Sequence, residues 1–563
     1  MKGKVKDIVE FITVVSVLLI LSFLIRNITL RFDLTSDKRH SLSEATTDIL
    51  HELNEDIYIQ VYLDGDMRVE FTRLKRELKS KLDEFRVISG KKLDYSFINP
   101  SESEDPEERT RYQMSLVNKG LVPVTIMAED KEGEQSEKTI FPGLIVNYNG
   151  IEIPINFLRN NPALPAEQNL MHSIEGLEYE LISSIATVTS DTIHKIAFIE
   201  GHGELQEVEV ADLTLELAKF FTIDRGTIGG KPGVLDSYSA IVFAKPQEPF
   251  NEDDKLVIDQ YIMNGGKVLW LIDEVVVNRD SLASGGSLAF YKPLEIEDQL
   301  FRYGVRINPV LIQDQDCQTL SIVGNFSGAR QQALPVPWIY NPLLYPSSRS
   351  PVTRAINKVR GEFTNYIDTV GTIGEINKQV LLATSPQSRY VSPPRMISLE
   401  EFRDPPPLDA FDKSFLPVAV LLEGRFTSIF KNRVRDYNGR EIKEESEYTR
   451  MIVVSDGDII RNEVQRDGNR LIPLTLGQDR LTQQIYGNKD FLVNALNYLV
   501  DDKGIMDLRS RELKLRLLDE DKIHRQKSLW QLINIAGPVL LVIIAALLYS
   551  WIRRRRVLIK QRT

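Results

Sequence analysis

The string Ile199-Glu200-Gly201-His202-Gly203-Glu204 brings two carboxylates and an imidazole together where an apolar run gives way to a helical one. Two chemistries use such a string. Its first two glycines, with Asp224 about 20 residues on, fit the turn and the ribose-binding acid of a dinucleotide site. Gln206 stands where the third glycine belongs, however, and Glu200 and Glu204 put negative charge where pyrophosphate needs a positive helix terminus. A metal or hydrolytic centre built on His202 with Glu200 and Glu204 lacks a second cluster of ligands. A tight crossover turn is the simpler reading, and Glu200, His202 and Glu204 stand as candidates for a ligand or partner loop. Asp456 and Asp458 join them at the end of another apolar run; they offer oxygen ligands but lack the spaced acids and terminal glutamate of an EF-hand loop. The single cysteine, Cys317, has neither the Cys/His company of a zinc site nor a visible base to activate it. No Gly-x-x-x-x-Gly-Lys-Ser/Thr occurs, so the chain is not itself a P-loop ATPase. The expectation is a protein that is not an enzyme, with no catalytic residue, no metal and no cofactor.

These residues must be positioned by several domains. At 563 residues, 42% hydrophobic and 26% charged, the chain has the make-up of packed globular protein, which excludes a single small module, wholesale disorder and a polytopic membrane protein. Ser41 with Glu44 reads as a capping box. A strand over 57–63, a helix with Phe71, Leu74, Leu78, Leu82 and Phe85 on one stripe, and a strand over 93–98 form a βαβ unit. A helix, a strand over 122–128, an exposed Glu/Lys-rich turn and a hairpin across Asn149-Gly150 follow. This order predicts a thioredoxin-like domain over 31–160, without the Cys-x-x-Cys of dithiol chemistry. A helical linker over 161–190 leads to a larger domain over 191–505. There, apolar runs at 195–200, 240–244, 267–273, 380–384, 418–422 and 451–455 alternate with helical stretches, the pattern of a doubly wound α/β domain on a parallel sheet. Pro-rich segments at 334–351 and 393–407 read as long ordered excursions.

Both ends depart from this pattern. Phe11 to Ile25 carries no charge, and with its flanks it reads as an uncleaved membrane anchor over 8–30, since no Ala-x-Ala-like site precedes Arg26. A second span covers 529–552, after a juxtamembrane segment over 506–528; Trp530, Tyr549 and Trp551 suit an aromatic belt, and Gly537-Pro538 should kink it. Its small residues Ala536, Gly537, Ala545 and Ala546 are where another helix would approach closely. Lys2, Lys4 and Lys6 precede the first span, and four arginines with Lys560 and Arg562 fill the tail 553–563, so both termini are expected in the cytoplasm. The ends carry +2 and +6 of a net −11, which leaves −19 on residues 31–552. An acidic domain of this kind repels nucleic acid, whose binding rests on neutralising phosphates.

Several strings together resemble one family. Arg31-Phe32-Asp33-Leu34-Thr35 with Ser41-Leu42-Ser43, the run KIAFIEGHGE at 195–204, YIMNGGKVLWL at 261–271, Phe426-Thr427-Ser428, Gly487-Asn488 and the stretch 491–499 are similar, in this order, to the gliding-motility ABC transporter auxiliary family known as GldG. The resemblance implies an accessory, substrate-binding-like subunit in the inner membrane of a gliding bacterium, its large domain periplasmic, working with a separate permease and a separate ATPase. It also implies a large domain similar in outline to amidotransferase-like and flavodoxin-like folds, with no catalytic residue to carry over. Two alternatives remain: a structural part of a gliding or secretion machine without a transport role, and an envelope hydrolase using His202 and nearby acids.

Overall fold

The structure, a computed structural model, describes residues 42–510 and 520–560 together with Thr13 and Ser16, apart from 66, 130–134, 159–164, 191–193, 325–331, 355, 372–375, 434–436, 438, 469 and 483. Residues 40–511 form one compact unit, and the two chain ends form another. The expected anchor over 8–30 lies outside the described residues except for Thr13 and Ser16, both helical.

The first helix, α1 (Glu44–His51), is capped by Ser43, whose hydroxyl accepts the Thr46 N–H. Ser41, the cap expected from the sequence, lies outside the described residues. β1 (Ile57–Val61), α2 (Val69–Ile88) and β2 (Leu93–Phe97) form the expected βαβ unit, with β1 and β2 parallel. On α2 the stripe Leu74, Leu78, Leu82 and Phe85 is wholly buried, and each such side chain contributes about 1.5–3 kcal/mol by leaving water. After α3 (Pro106–Asn118), β3 (Val124–Glu129) pairs with β4 (Gln135–Ile140) in a separate ribbon. β5 (Gly143–Tyr148) and β6 (Ile151–Asn156) turn at Asn149 (φ 48°) and Gly150 (φ 82°), both left-handed as a two-residue hairpin requires. β5 runs antiparallel to β1, giving the sheet order β2-β1-β5-β6. The segment read as a helical linker is α4 (Ala166–Thr189), and its Leu177, Leu181, Ile182 and Ile185 complete this sheet's core. Glu178 of α4 accepts the Ser43 N–H and the Thr46 hydroxyl, both at 2.9 Å, and pairs with Lys81 at 3.0 Å. Burial opposes its charge, but these partners outweigh burial and hold the carboxyl below its usual range.

The large sheet starts with β7 (Lys195–Glu200), α5 (Ala211–Leu217), β8 (Thr222–Thr227), β9 (Ala240–Ala244), α6 (Glu252–Met263) and β10 (Lys267–Leu271). An excursion follows: β11 (Val275–Val276), α7 (Arg279–Ala283), β12 (Ser287–Tyr291), α8 (Glu297–Tyr303), β13 (Val305–Asn308), β14 (Leu311–Asp314), β15 (Cys317–Gly324), β16 (Gln332–Pro346), β17 (Val359–Arg360) and β18 (Tyr366–Thr369). Then come β19 (Ile376–Ala383), β20 (Ser388–Val391), β21 (Arg395–Ile397), β22 (Pro417–Gly424), β23 (Thr449–Val454), the hairpin β24 (Val464–Asp467) and β25 (Arg470–Pro473), and α9 (Asn488–Val500). The main path is β15-β16-β19-β22-β23-β10-β9-β7-β8.

Only the half from β23 to β8 is parallel. The runs at 380–384 and 418–422, expected as parallel strands, lie in β19 and β22, which pair antiparallel with each other and with β23. In the parallel half, alternate residues feed two cores: Ile196 and Phe198 face α5 and α9, whereas Ala197 and Ile199 face the side of α6 and α8. Both faces of β7, β9, β10 and β23 are covered, which is why these strands read as apolar runs; β8, at the edge, is polar and partly exposed.

The last helix, α10 (Glu520–Lys560), contains Pro538. Its stretch Leu529–Trp551 is 23 residues long with none of its apolar window buried, and at about 1.5 Å per residue it exceeds the roughly 30 Å of a bilayer's hydrocarbon core.

Candidate functional site

The carboxyl ends of four neighbouring parallel strands carry the chemistry-bearing residues. β7 ends at Glu200 and runs into Gly201-His202-Gly203-Glu204; β9 is followed by Lys245, β10 by Asp273 and Glu274, and β23 by Asp456-Gly457-Asp458. β7 is followed by β8 on one side and then by β9 on the other. Such a reversal opens the crevice in which open α/β sheets take ligands.

His202 fills this crevice. It is buried and stacked on Phe250 with ring centroids 3.9 Å apart. Its Nδ1 lies 3.3 Å from Glu204 Oε1, and its Nε2 lies 3.2 Å from Asp254 Oδ2. Its backbone N–H donates to Glu204 Oε2 at 2.7 Å, and its carbonyl accepts the N–H groups of Gln247 and Glu248. Burial opposes the imidazolium, but Glu204 and Asp254 outweigh it and raise the pKa. A carboxylate at each ring nitrogen favours the imidazolium, and both nitrogens are engaged within the fold. Glu200 is not part of this group: it pairs with Arg225 at 2.7 Å on the neighbouring strand. The string read from the sequence therefore divides, with His202 and Glu204 together and Glu200 apart. Asp254 was not legible as a partner, because it arrives on the first turn of α6.

Asp456 and Asp458 enter a second buried cluster. Asp456 Oδ2 accepts the Glu362 N–H at 2.7 Å and the Thr364 hydroxyl at 2.6 Å, and its Oδ1 accepts the Asp458 N–H at 2.9 Å. Lys245 Nζ lies 2.5 Å from Asp458 Oδ2 and 3.0 Å from Asp273 Oδ2; Asp273 Oδ1 accepts the Gly457 N–H at 2.6 Å. Arg461 pairs with Asp458 and faces Glu362 at 3.7 Å. Gly457 is required here, since a Cβ at this position would stand 2.7 Å from Lys245 Cγ.

Oxygen atoms of Asp273, Asp456 and Asp458 all lie within 4.8 Å of one another, a spacing a metal ion can use. The Lys245 ammonium already supplies positive charge to two of the three. Burial, with Asp273 and Asp458 adding to it, pushes Asp456 well above its ordinary range. Burial likewise raises Asp273. Asp458 goes the other way: burial opposes its charge, and Lys245, Arg461 and Arg279 overcome it. Lys245 is held protonated by Asp273 and Asp458 against the pull of burial. The arrangement ties the ends of β9, β10 and β23 together through Lys245. Beside it, burial pushes Glu274 up to about 8.

Cys317 is half-buried at the start of β15, and burial together with Asp314 and Asp316 pushes its thiol up to about 12. On α10, Ala536, Gly537, Ala545 and Ala546 do not share one face. At 3.6 residues per turn Gly537 and Ala545 stand roughly 80° apart, Ala536 and Ala546 are as close to each other, and the two pairs point to opposite sides.

Residues 164–495, more than half of the chain, match the family model described as an ABC-type uncharacterized transport system. The chain belongs to this transport family. As a member of an auxiliary family it is an accessory component of an ABC-type transport system, and its helix Leu529–Trp551 is long and apolar enough to cross a membrane. Residues 36–147, which hold β1, β2 and nearly all of β5 in the small sheet, match a model described only as a domain of unknown function. No curated protein matches the chain. Among solved structures, the mmIFT52 N-terminal domain is 11% identical, covers 55% of this chain and 98% of its own, and gives a TM-score of 0.31. The exo-beta-1,4-mannosidase Op5Man5 from Opitutaceae bacterium strain TAV5 is 11% identical, covers 70% of this chain and 46% of its own, and gives a TM-score of 0.20. Neither likeness bears on fold or function.

Proposed function

We propose that this member of the family is a membrane-anchored, substrate-binding-like subunit of an ABC transporter that serves gliding motility, and that it works with a separate permease and a separate ATPase. The observation that carries the reading is the family match over 164–495 in a chain that also bears the exposed apolar helix Leu529–Trp551. The chain has no nucleotide-binding motif, so a partner must supply the energy of transport. In this reading the segment 8–30 is a second anchor, both termini are cytoplasmic, and residues 31–528 lie outside the cytoplasm, in agreement with the basic flanks. The order β2-β1-β5-β6 supports a thioredoxin-like small domain, and the order β8-β7-β9-β10-β23 supports a flavodoxin-like parallel half. His202 with Glu204, and Asp456 with Asp458, then set the shape of the loops offered to a ligand or partner.

Affinity purification of the full chain from native membranes in mild detergent tests this reading. A multi-span permease and a P-loop ATPase should co-purify in fixed ratio. Recovery of neither, from membranes that contain both, would remove the transporter reading and leave a scaffold.

A further inference from the structure

Between α7, β16 and β17 lies a cavity of about 220 Å³, which adjoins the Asp456–Asp458 cluster through Glu362 and Arg279. Trp338, Leu282 and Leu320 give it an apolar wall. Its polar lining includes Arg279, Glu362, Glu463, Arg360, Asn341 and Gln318, and the partners of these groups leave a definite remainder. Arg279 pairs with Glu362, and Glu463 faces Arg480 at 3.4 Å.

Arg360 is different. It is only 8% exposed, and among the described residues no carboxylate reaches its guanidinium; Nη1 donates to the Gln478 carbonyl at a long 3.4 Å. Asn341, 6% exposed, donates from Nδ2 to Gln318 Oε1 at 3.1 Å, and its Oδ1 has no hydrogen-bond partner among the described residues. Gln318 is spent as well, donating to Asp479 at 3.2 Å. A buried guanidinium without a counter-ion and a buried carbonyl oxygen without a donor are both costly. One ligand end satisfies both: a carboxylate that takes the guanidinium fork, with an N–H beside it.

We infer that this cavity binds a small carboxylate carrying an adjacent N–H donor, with Arg360 receiving the carboxylate, Asn341 Oδ1 accepting the N–H, and Trp338 with Leu282 and Leu320 covering an apolar side group. Two sources share this chemistry, an N-acyl amino acid and the C-terminal residue of a peptide. The inference does not depend on the transporter reading, since it concerns the folded unit alone.

The test is calorimetric titration of the full chain in detergent with N-acetyl-L-leucine, with the tripeptide Ala-Ala-Leu, and with the uncharged N-acetyl-L-leucinamide. At least one acid should bind with a Kd between about 1 μM and 1 mM, and the amide at least about tenfold more weakly. Binding of the first acid alone identifies a free solute; binding of the tripeptide alone identifies a peptide end. Arg360→Gln should weaken acid binding by about tenfold or more. Ala283→Trp, at an exposed lining position, should block the cavity without disturbing a buried contact, so it reads even where Arg360→Gln fails to fold. Absence of binding by either acid at about 10 mM, equal binding of acid and amide, or full binding by Ala283→Trp overturns the inference.

Discussion

The Lys245 ammonium stands 2.5 Å from Oδ2 of Asp458, joining the end of β9 to the loop after β23 across the intervening strand. Both side chains are largely buried, so removing one partner strands the other. Lys245→Met should destabilise the folded unit by about 3 kcal/mol, the lower end of the range for breaking a buried pair, because Arg461 remains beside Asp458. Chemical denaturation of the full chain in detergent reads this, and adding Asp458→Asn should restore part of the loss. A single substitution without effect would show that the cluster is solvated.

Glu274 is almost wholly buried, and its carboxyl is pushed from an ordinary 4.5 to about 8, by burial first and then by Glu297 and Asp273. The folded chain therefore keeps a proton that the unfolded chain has lost. Stability is fully present below about pH 4.5 and falls as pH rises to about 8, by at most about 1.4 kcal/mol per pH unit. Glu274→Gln should match the native chain near the acid end of this window and exceed it increasingly toward the alkaline end. A constant difference across the window would contradict the assignment.

The raised Cys317 thiol makes a plain kinetic prediction, since the thiolate is the reactive form. N-ethylmaleimide at pH 8 should label the native chain at least about a hundredfold more slowly than the urea-unfolded chain, and Cys317→Ser should leave abundance and function intact. Rapid native labelling would place the thiol in a different environment.

The elements most legible in the sequence are those that local pattern alone specifies. β7 and β9 are apolar runs bounded by turns, the α2 stripe has one helical period, and Asn149-Gly150 demands its hairpin. Strand direction is not local: the run at 418–422 looks the same in a parallel or an antiparallel sheet, and its neighbours β19 and β23 decide. β4 escaped notice because Gln135 to Ile140 is polar and pairs in a separate ribbon. In the site, His202 and Glu204 were visible as a string. Asp254, Lys245, Asp273 and Glu362 were not, because only the order of the strands and the packing of α6 bring them to His202 and Asp458. Arg360 and Asn341 carried no signal, since a missing partner is a property of three-dimensional packing.

In the proposed reading the last helix docks this chain onto a multi-span transporter subunit. The two opposite faces of α10 supply an internal control, because a Cβ at Gly537 meets no atom among the described residues within 4 Å, and small residues let membrane helices approach closely. The deciding measurement is the amount of permease that co-purifies with full-length Gly537→Leu/Ala545→Leu, compared with Ala536→Leu/Ala546→Leu and the native chain. Docking through that face gives a several-fold loss for the Gly537 and Ala545 pair, native recovery for the other pair, and unchanged protease resistance of residues 40–511 in both. Full recovery of the permease with the Gly537 and Ala545 pair would contradict it and move the contact to the folded unit.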